Sequence, residues 1–134
     1  MSENYPSLSK RFQSIFIDLL FMIALMFLAG WILDKIDPAD EGQDGLIRAI
    51  LFVSIWGVYE PVAMTLGCTV GNLLTKIRVR QFGSIEKRIN IFQAYIRFII
   101  KFFLGWLSFI TISFNEQKRA IHDLASGTIV LEKN

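Results

Sequence analysis

Apolar positions along this chain gather into three long stretches separated by shorter polar segments. The first runs over 12–33 and is interrupted only by Gln13, Ser14 and Asp18. The second covers 47–66, with Arg48 at its start and Glu60 near its end. The third covers 91–114 and carries Gln93, Arg97 and Lys101 in its first half. A helix needs about 20 mostly apolar residues to cross a hydrocarbon core of roughly 30 Å, and all three stretches reach that length. A soluble amphipathic helix would show a polar stripe repeating about every 3.6 residues. Phe21-Met22-Ile23-Ala24-Leu25-Met26-Phe27-Leu28 shows none. Burial inside a soluble core is the alternative, but so short a chain holds nothing to bury three such helices. The pattern predicts an all-α membrane protein, 1–134 forming a single domain. Two helices span, and the 91–114 segment either spans or breaks near Gly105 and re-enters.

Two short runs have another period. From Leu74 to Arg80, Ile77 and Val79 point one way while Lys76, Arg78 and Arg80 point the other, which is a half-buried strand with Gly83 supplying a turn after it. Thr128-Ile129-Val130-Leu131 is a second β-branched run after Gly127. An isolated strand is unstable, so the two are expected to pair as a short cytoplasmic β-pair. That requires the tail, 115–134, to lie on the same side of the membrane as the 67–90 connection.

Composition sharpens the membrane reading. The chain is 53% apolar and only 19% charged, against about a quarter charged in ordinary soluble domains. Its mean hydropathy is +0.46, which excludes intrinsic disorder. One Cys rules out a disulfide within the chain, and one Cys with one His leaves no multi-ligand zinc site. The first stretch exceeds a signal-peptide core of about 7–15 residues and lacks a clear small-x-small cleavage site, so it is expected to be a retained anchor.

Charge sets orientation. Lys10 and Arg11 precede the first stretch; the next connection is acidic, with Asp34, Asp37, Asp40, Glu41 and Asp44. The 67–90 connection carries Lys76, Arg78, Arg80, Lys87 and Arg88 against Glu86 alone. The positive-inside rule places the amino terminus and 67–90 in the cytoplasm. Lys10, Arg11 and these five residues lie beside the bilayer, where lipid headgroups are the nearest partners; nucleic acid is not an expected ligand.

Three charges sit deeper. Asp18 lies six residues inside the first stretch, Glu60 six before Leu66, and Arg97 six beyond Ile91. At 1.5 Å per residue, each is roughly 9 Å from the same membrane face. Lys101 follows Arg97 by one helical turn on the same face. An unpaired charge at the centre of a membrane helix costs at least about 2.5–3.5 kcal/mol, so Asp18–Arg97 or Glu60–Arg97 pairing is expected. Arg11 is about 10 Å from Asp18 along the axis and is expected to snorkel toward headgroups. This layer either fastens the helices together or passes a proton or small cation.

Other motifs carry less. Gly67-x-x-x-Gly71 fits a small-residue helix-pairing motif, yet it lies at the end of an apolar run and reads better as a turn leaving the membrane. On a helix, His122 and Asp123 diverge by about 100° and form no mutual dyad; His122 reads as a structural residue. No nucleophile with a base or acid pair over a cleft is present, so neither enzyme activity nor a cofactor is expected.

Arg11, Asp18 and His122-Asp123 together resemble the RDD family of small bacterial membrane proteins. So do Gly67-Cys68-Thr69-Val70-Gly71-Asn72-Leu73-Leu74, the following Ile77-Arg78-Val79, Ala94-Tyr95-Ile96-Arg97, and the segment from Asn115 to Val130. Two positions depart from the family pattern: Val70 stands where Pro is usual, and Asn72 where Lys is usual. The resemblance implies a transport role, with cation/proton exchange proposed for some members, in the bacterial inner membrane. Three helices enclose no pathway alone, so a homo-oligomer is expected. The alternative is a non-transporting membrane adaptor whose basic 76–88 segment binds headgroups or a partner.

Overall fold

The computed structural model describes residues 4–36 and 44–133. Helix α1 (Leu8–Ile36) and helix α2 (Asp44–Leu66) contain the first two apolar stretches. Both overrun the apolar limits because intrahelical hydrogen bonds satisfy the backbone equally well in the polar flanks. The acidic connection over 37–43 lies outside the described residues. Helix α2 continues through Pro61. Both helices are long and apolar enough to cross a membrane, and their most apolar windows are only 6% and 11% buried within the protein. Phe16, Phe27, Trp31 and Val53 point outward. Exposure of apolar surface to water costs about 25 cal/mol per Å², so an exterior of this kind belongs in lipid.

A short helix, α3 (Val70–Leu74), follows α2, and strand β1 (Ile77–Gln81) follows α3. Thr69 starts α3 as its N-cap, its hydroxyl accepting from the Asn72 N–H. Helix α4 (Ile91–Leu104) begins in a capping box: Asn90 Oδ1 accepts from the Gln93 N–H at 2.8 Å, and Gln93 Oε1 accepts from the Asn90 N–H at 3.1 Å. Its 14 residues rise about 21 Å, short of a full crossing.

At Gly105, with φ of 56°, the chain leaves the helix. It bends by 103° into a 3₁₀ segment, Gly105–Ser113. Phe109 of that segment packs on Phe12 near the start of α1, ring centroids 5.2 Å apart. The third stretch therefore bends back toward the end of the bundle it entered from. The positive φ is what permits the reversal, and glycine adopts it without steric cost.

Helix α5 (Ile121–Ser126) and strand β2 (Thr128–Glu132) complete the chain. The strands pair antiparallel, Val79 opposite Val130, and the Lys133 N–H extends the ladder to the Lys76 carbonyl at 2.7 Å. Ile77 and Val79 are buried while Arg78 and Arg80 are half-buried, as the alternation predicts. The apolar core, Met64, Ile77, Val79, Ile89, Ala94 and Val130, lies at this end, not between the upper parts of α1 and α2. The tail and the 67–90 connection thus share one end of the molecule.

Candidate functional site

Beside that apolar core, the interior at this end also holds a cluster of buried polar and charged side chains. Asp123, wholly buried on α5, accepts from two guanidinium groups: Arg11 Nη1 at 2.7 Å, and Arg97 Nη1 from α4. Its Oδ2 also accepts from the Ala120 N–H at 3.0 Å, which fixes the first turn of α5. Arg97 donates to Thr128 Oγ1 at 2.7 Å, and Arg11 to the Lys118 carbonyl at 2.6 Å. Burial alone would raise the pKa of Asp123, but the guanidinium groups of Arg97 and Arg11 outweigh it and hold the carboxyl well below the usual carboxylate range. One carboxylate thereby joins α1, α4 and the tail.

His122 takes a separate partner. Its Nδ1 lies 3.0 Å from Ser108 Oγ, and Ser108 donates to the Gly105 carbonyl. That arrangement assigns the proton to Nδ1. Burial pushes the imidazole pKa well below 6.5 against the opposing pull of Asp123, so the ring is neutral. Nε2 approaches Asp123 Oδ1 to 3.6 Å, closer than divergent neighbours on a helix suggest, yet too far for a hydrogen bond.

Asp18 is held quite differently. Its carboxylate accepts from Tyr59 Oη at 3.0 Å, Thr69 Oγ1 at 2.7 Å and the Gly71 N–H at 2.8 Å. All three donors are neutral. Beside it Ser14 donates to Asn72 Oδ1 at 2.7 Å. The contact of α3 with α1 is so close that a Cβ at Gly71 would lie 2.0 Å from the Ser14 carbonyl oxygen. Glycine is required there.

Glu60 on α2 pairs with Lys101 on α4, both partly buried. Asp18, Glu60, Arg97 and Lys101 line one internal cavity of about 40 Å³, together with Arg11 and His122. The Nε–H groups of Arg11 and Arg97, both buried, have no hydrogen-bond partner among the described residues. A second cavity of about 240 Å³, walled by Ile15, Met22, Trp56 and Phe102, reaches Asp18, Glu60 and Lys101 from the apolar exterior.

Asp18, Glu60 and Arg97, expected to share a layer, are thus brought to one cavity together with Lys101, but their pairing differs. Neither Asp18 nor Glu60 pairs with Arg97. Arg97 turns to Asp123, because the returning tail places a carboxylate beside it that no count along the helices reveals. The expected snorkelling of Arg11 to headgroups is overturned for the same reason: Arg11 is 3% exposed and bound to Asp123. Lys10 pairs with Glu132 at 2.9 Å. Lys76, Arg78, Arg80, Lys87 and Arg88 form no ion pair among the described residues. Gly67, with φ of 148°, ends α2 and leads into the turn expected there.

Tyr59, Ser14 and Thr128 enter the site with no sequence signal, since a hydroxyl among apolar neighbours is ordinary. Val70 explains one departure from the family pattern. It occupies the first position of α3, where Pro fits well, but its N–H donates to Tyr59 Oη at 3.1 Å, a bond Pro cannot make.

An apolar exterior, two candidate spans and a buried charged centre define an integral membrane protein. The sequence model of the RDD family matches residues 5–127, most of the chain, and the chain belongs to the RDD family. No curated protein and no solved structure matches it.

Proposed function

We propose that the protein moves protons or small cations across the bacterial inner membrane, with Glu60 and Lys101 as the exchanging pair. The observation that carries this is their position: the pair lines both the internal polar cavity and the groove opening to the apolar exterior. Asp18 and Arg97 are each engaged by several fixed partners and serve as the surrounding frame rather than as carriers. Desolvated ionisable groups within a membrane mark ion and proton routes by default. The amino terminus and the tail lie in the cytoplasm, where the positive-inside rule puts the basic end. A homo-oligomer supplies the walls that three helical segments lack.

The test is flux in vesicles of the purified protein, read by an enclosed pH dye under an imposed Na⁺ or K⁺ gradient. Wild type is expected to exchange cations for protons, and Glu60→Gln and Lys101→Gln to lose that exchange. Wild-type flux equal to that of protein-free vesicles ends the transport reading. A second reading, a non-transporting membrane adaptor, is favoured by one observation: Asp123, Arg11 and Arg97 are locked in mutual ion pairs that tie the tail to the helices.

A further inference from the structure

A third cavity, of about 590 Å³, is bounded by the end of α2, α3 and β1. That volume is typical of a ligand site. Lys76, Arg78, Arg80, Arg88 and Lys133 line it, and no carboxylate does. Among the described residues none of the five forms an ion pair, and the buried Nε–H of Arg78 has no hydrogen-bond partner there. Burial, and then the neighbouring Arg78 and Arg88, push the Arg80 guanidinium pKa down, as expected for cations crowded together without a counter-charge. Lys76 adopts φ of 57°, a left-handed backbone that side-chain-bearing residues seldom adopt, and the Lys133 N–H bonded to its carbonyl holds it there.

The apolar part of the lining decides the kind of anion. Leu66 and Leu73 border the cavity and are 71% and 59% exposed, and Leu66 is where the second apolar stretch ends. Cations gathered at that level meet the headgroup region, with exposed leucines beside them. Arginine forks bind phosphate oxygens in pairs.

We propose that this cavity binds the phosphate of an anionic phospholipid headgroup through Arg78, Arg80 and Arg88, with Lys76 and Lys133 adding charge and the acyl chains lying on Leu66 and Leu73. The site is independent of the exchange assigned to Glu60 and Lys101, so either assignment can fail while the other stands. Its probe is the full chain in neutral detergent micelles offered phosphatidylglycerol or phosphatidylcholine, with retained lipid counted by native mass spectrometry. Phosphatidylglycerol is expected to be retained and phosphatidylcholine lost. Each cavity cation removed is expected to weaken retention about 5-fold, so Arg88→Gln gives about 5-fold and Arg80→Gln with Arg88→Gln about 25-fold. Among the described residues the Arg88 side chain makes no hydrogen bond and only its carbonyl accepts one, so its single variant folds even where the double one does not.

Lys87→Gln removes the same charge from an exposed residue outside the cavity and is expected to leave retention unchanged. Cys68 also lines the cavity, so phosphatidylglycerol is expected to slow its alkylation in wild type. Equal retention of the two lipids overturns the proposal, as does a Lys87→Gln effect as large as that of Arg88→Gln, or alkylation indifferent to lipid. Glycerol phosphate binding as tightly as the lipid would assign the site to a soluble phosphate and overturn it too.

Discussion

Asp18 and Asp123 are the two acidic residues of the family pattern, and the protein treats them in opposite ways. Asp18 sits on a membrane helix and is satisfied by neutral donors from Tyr59, Thr69 and the Gly71 backbone. Asp123 lies in the tail, fully enclosed, between Arg11 and Arg97. The first fixes a backbone turn against a helix. The second neutralises two cations that the sequence places near or within lipid. A carboxylate among neutral donors can lose its charge and keep most of its hydrogen bonds. A carboxylate between two buried guanidinium groups cannot, because their charges are then left without a partner.

That difference ranks the consequences of breaking each site. Asp123→Asn should have the largest effect, about 3–5 kcal/mol, since removing one member of a buried ionic cluster leaves uncompensated charge. Thermal unfolding of the detergent-solubilised protein, or failure to elute as a single species, would register it. Gly71→Ala comes next, near the upper end of the 1–3 kcal/mol that overpacking costs, because the added carbon meets backbone rather than a side chain that can move. Asp18→Asn is expected to cost less, about 1–2 kcal/mol, since the amide oxygen still accepts and the Thr69 hydroxyl can turn to accept from the new amide. Equal losses for Asp18→Asn and Asp123→Asn would erase the distinction.

The smallest effect is a pH dependence. His122 is neutral when folded but takes up a proton below about pH 6.5 when unfolded. In acid the unfolded chain binds more protons, so this contribution is complete above pH 6.5 and declines as pH falls below it. Asp123, whose pKa is also depressed by folding, adds its own loss only below about pH 4. Melting temperatures between pH 8 and pH 5 should therefore fall for wild type and stay flatter for His122→Asn, whose amide can still donate to Ser108.

Much of the fold was legible along the chain. The lengths of the apolar runs predict the two candidate spans, and the alternation at Ile77 to Arg80 predicts a strand whose buried and half-buried positions the structure reproduces. Counting along the helices predicts that Asp18, Glu60 and Arg97 come together, and they line one cavity. What the chain could not disclose was who pairs with whom. Helix α3 also escaped notice, because five residues hold too little periodicity to register; Thr69 as a cap was its only trace.

The sequence alone determined which segments must leave water and where charges interrupt them, because hydrophobic length and helical rise are local quantities. Only the tertiary structure decided that the third stretch turns back at Gly105, and that the tail brings Asp123 to Arg11 and Arg97. Pairing buried charges is a long-range matter. It depends on where a reversed chain ends up, and the desolvation cost of each guanidinium selects whichever carboxylate the fold carries within reach.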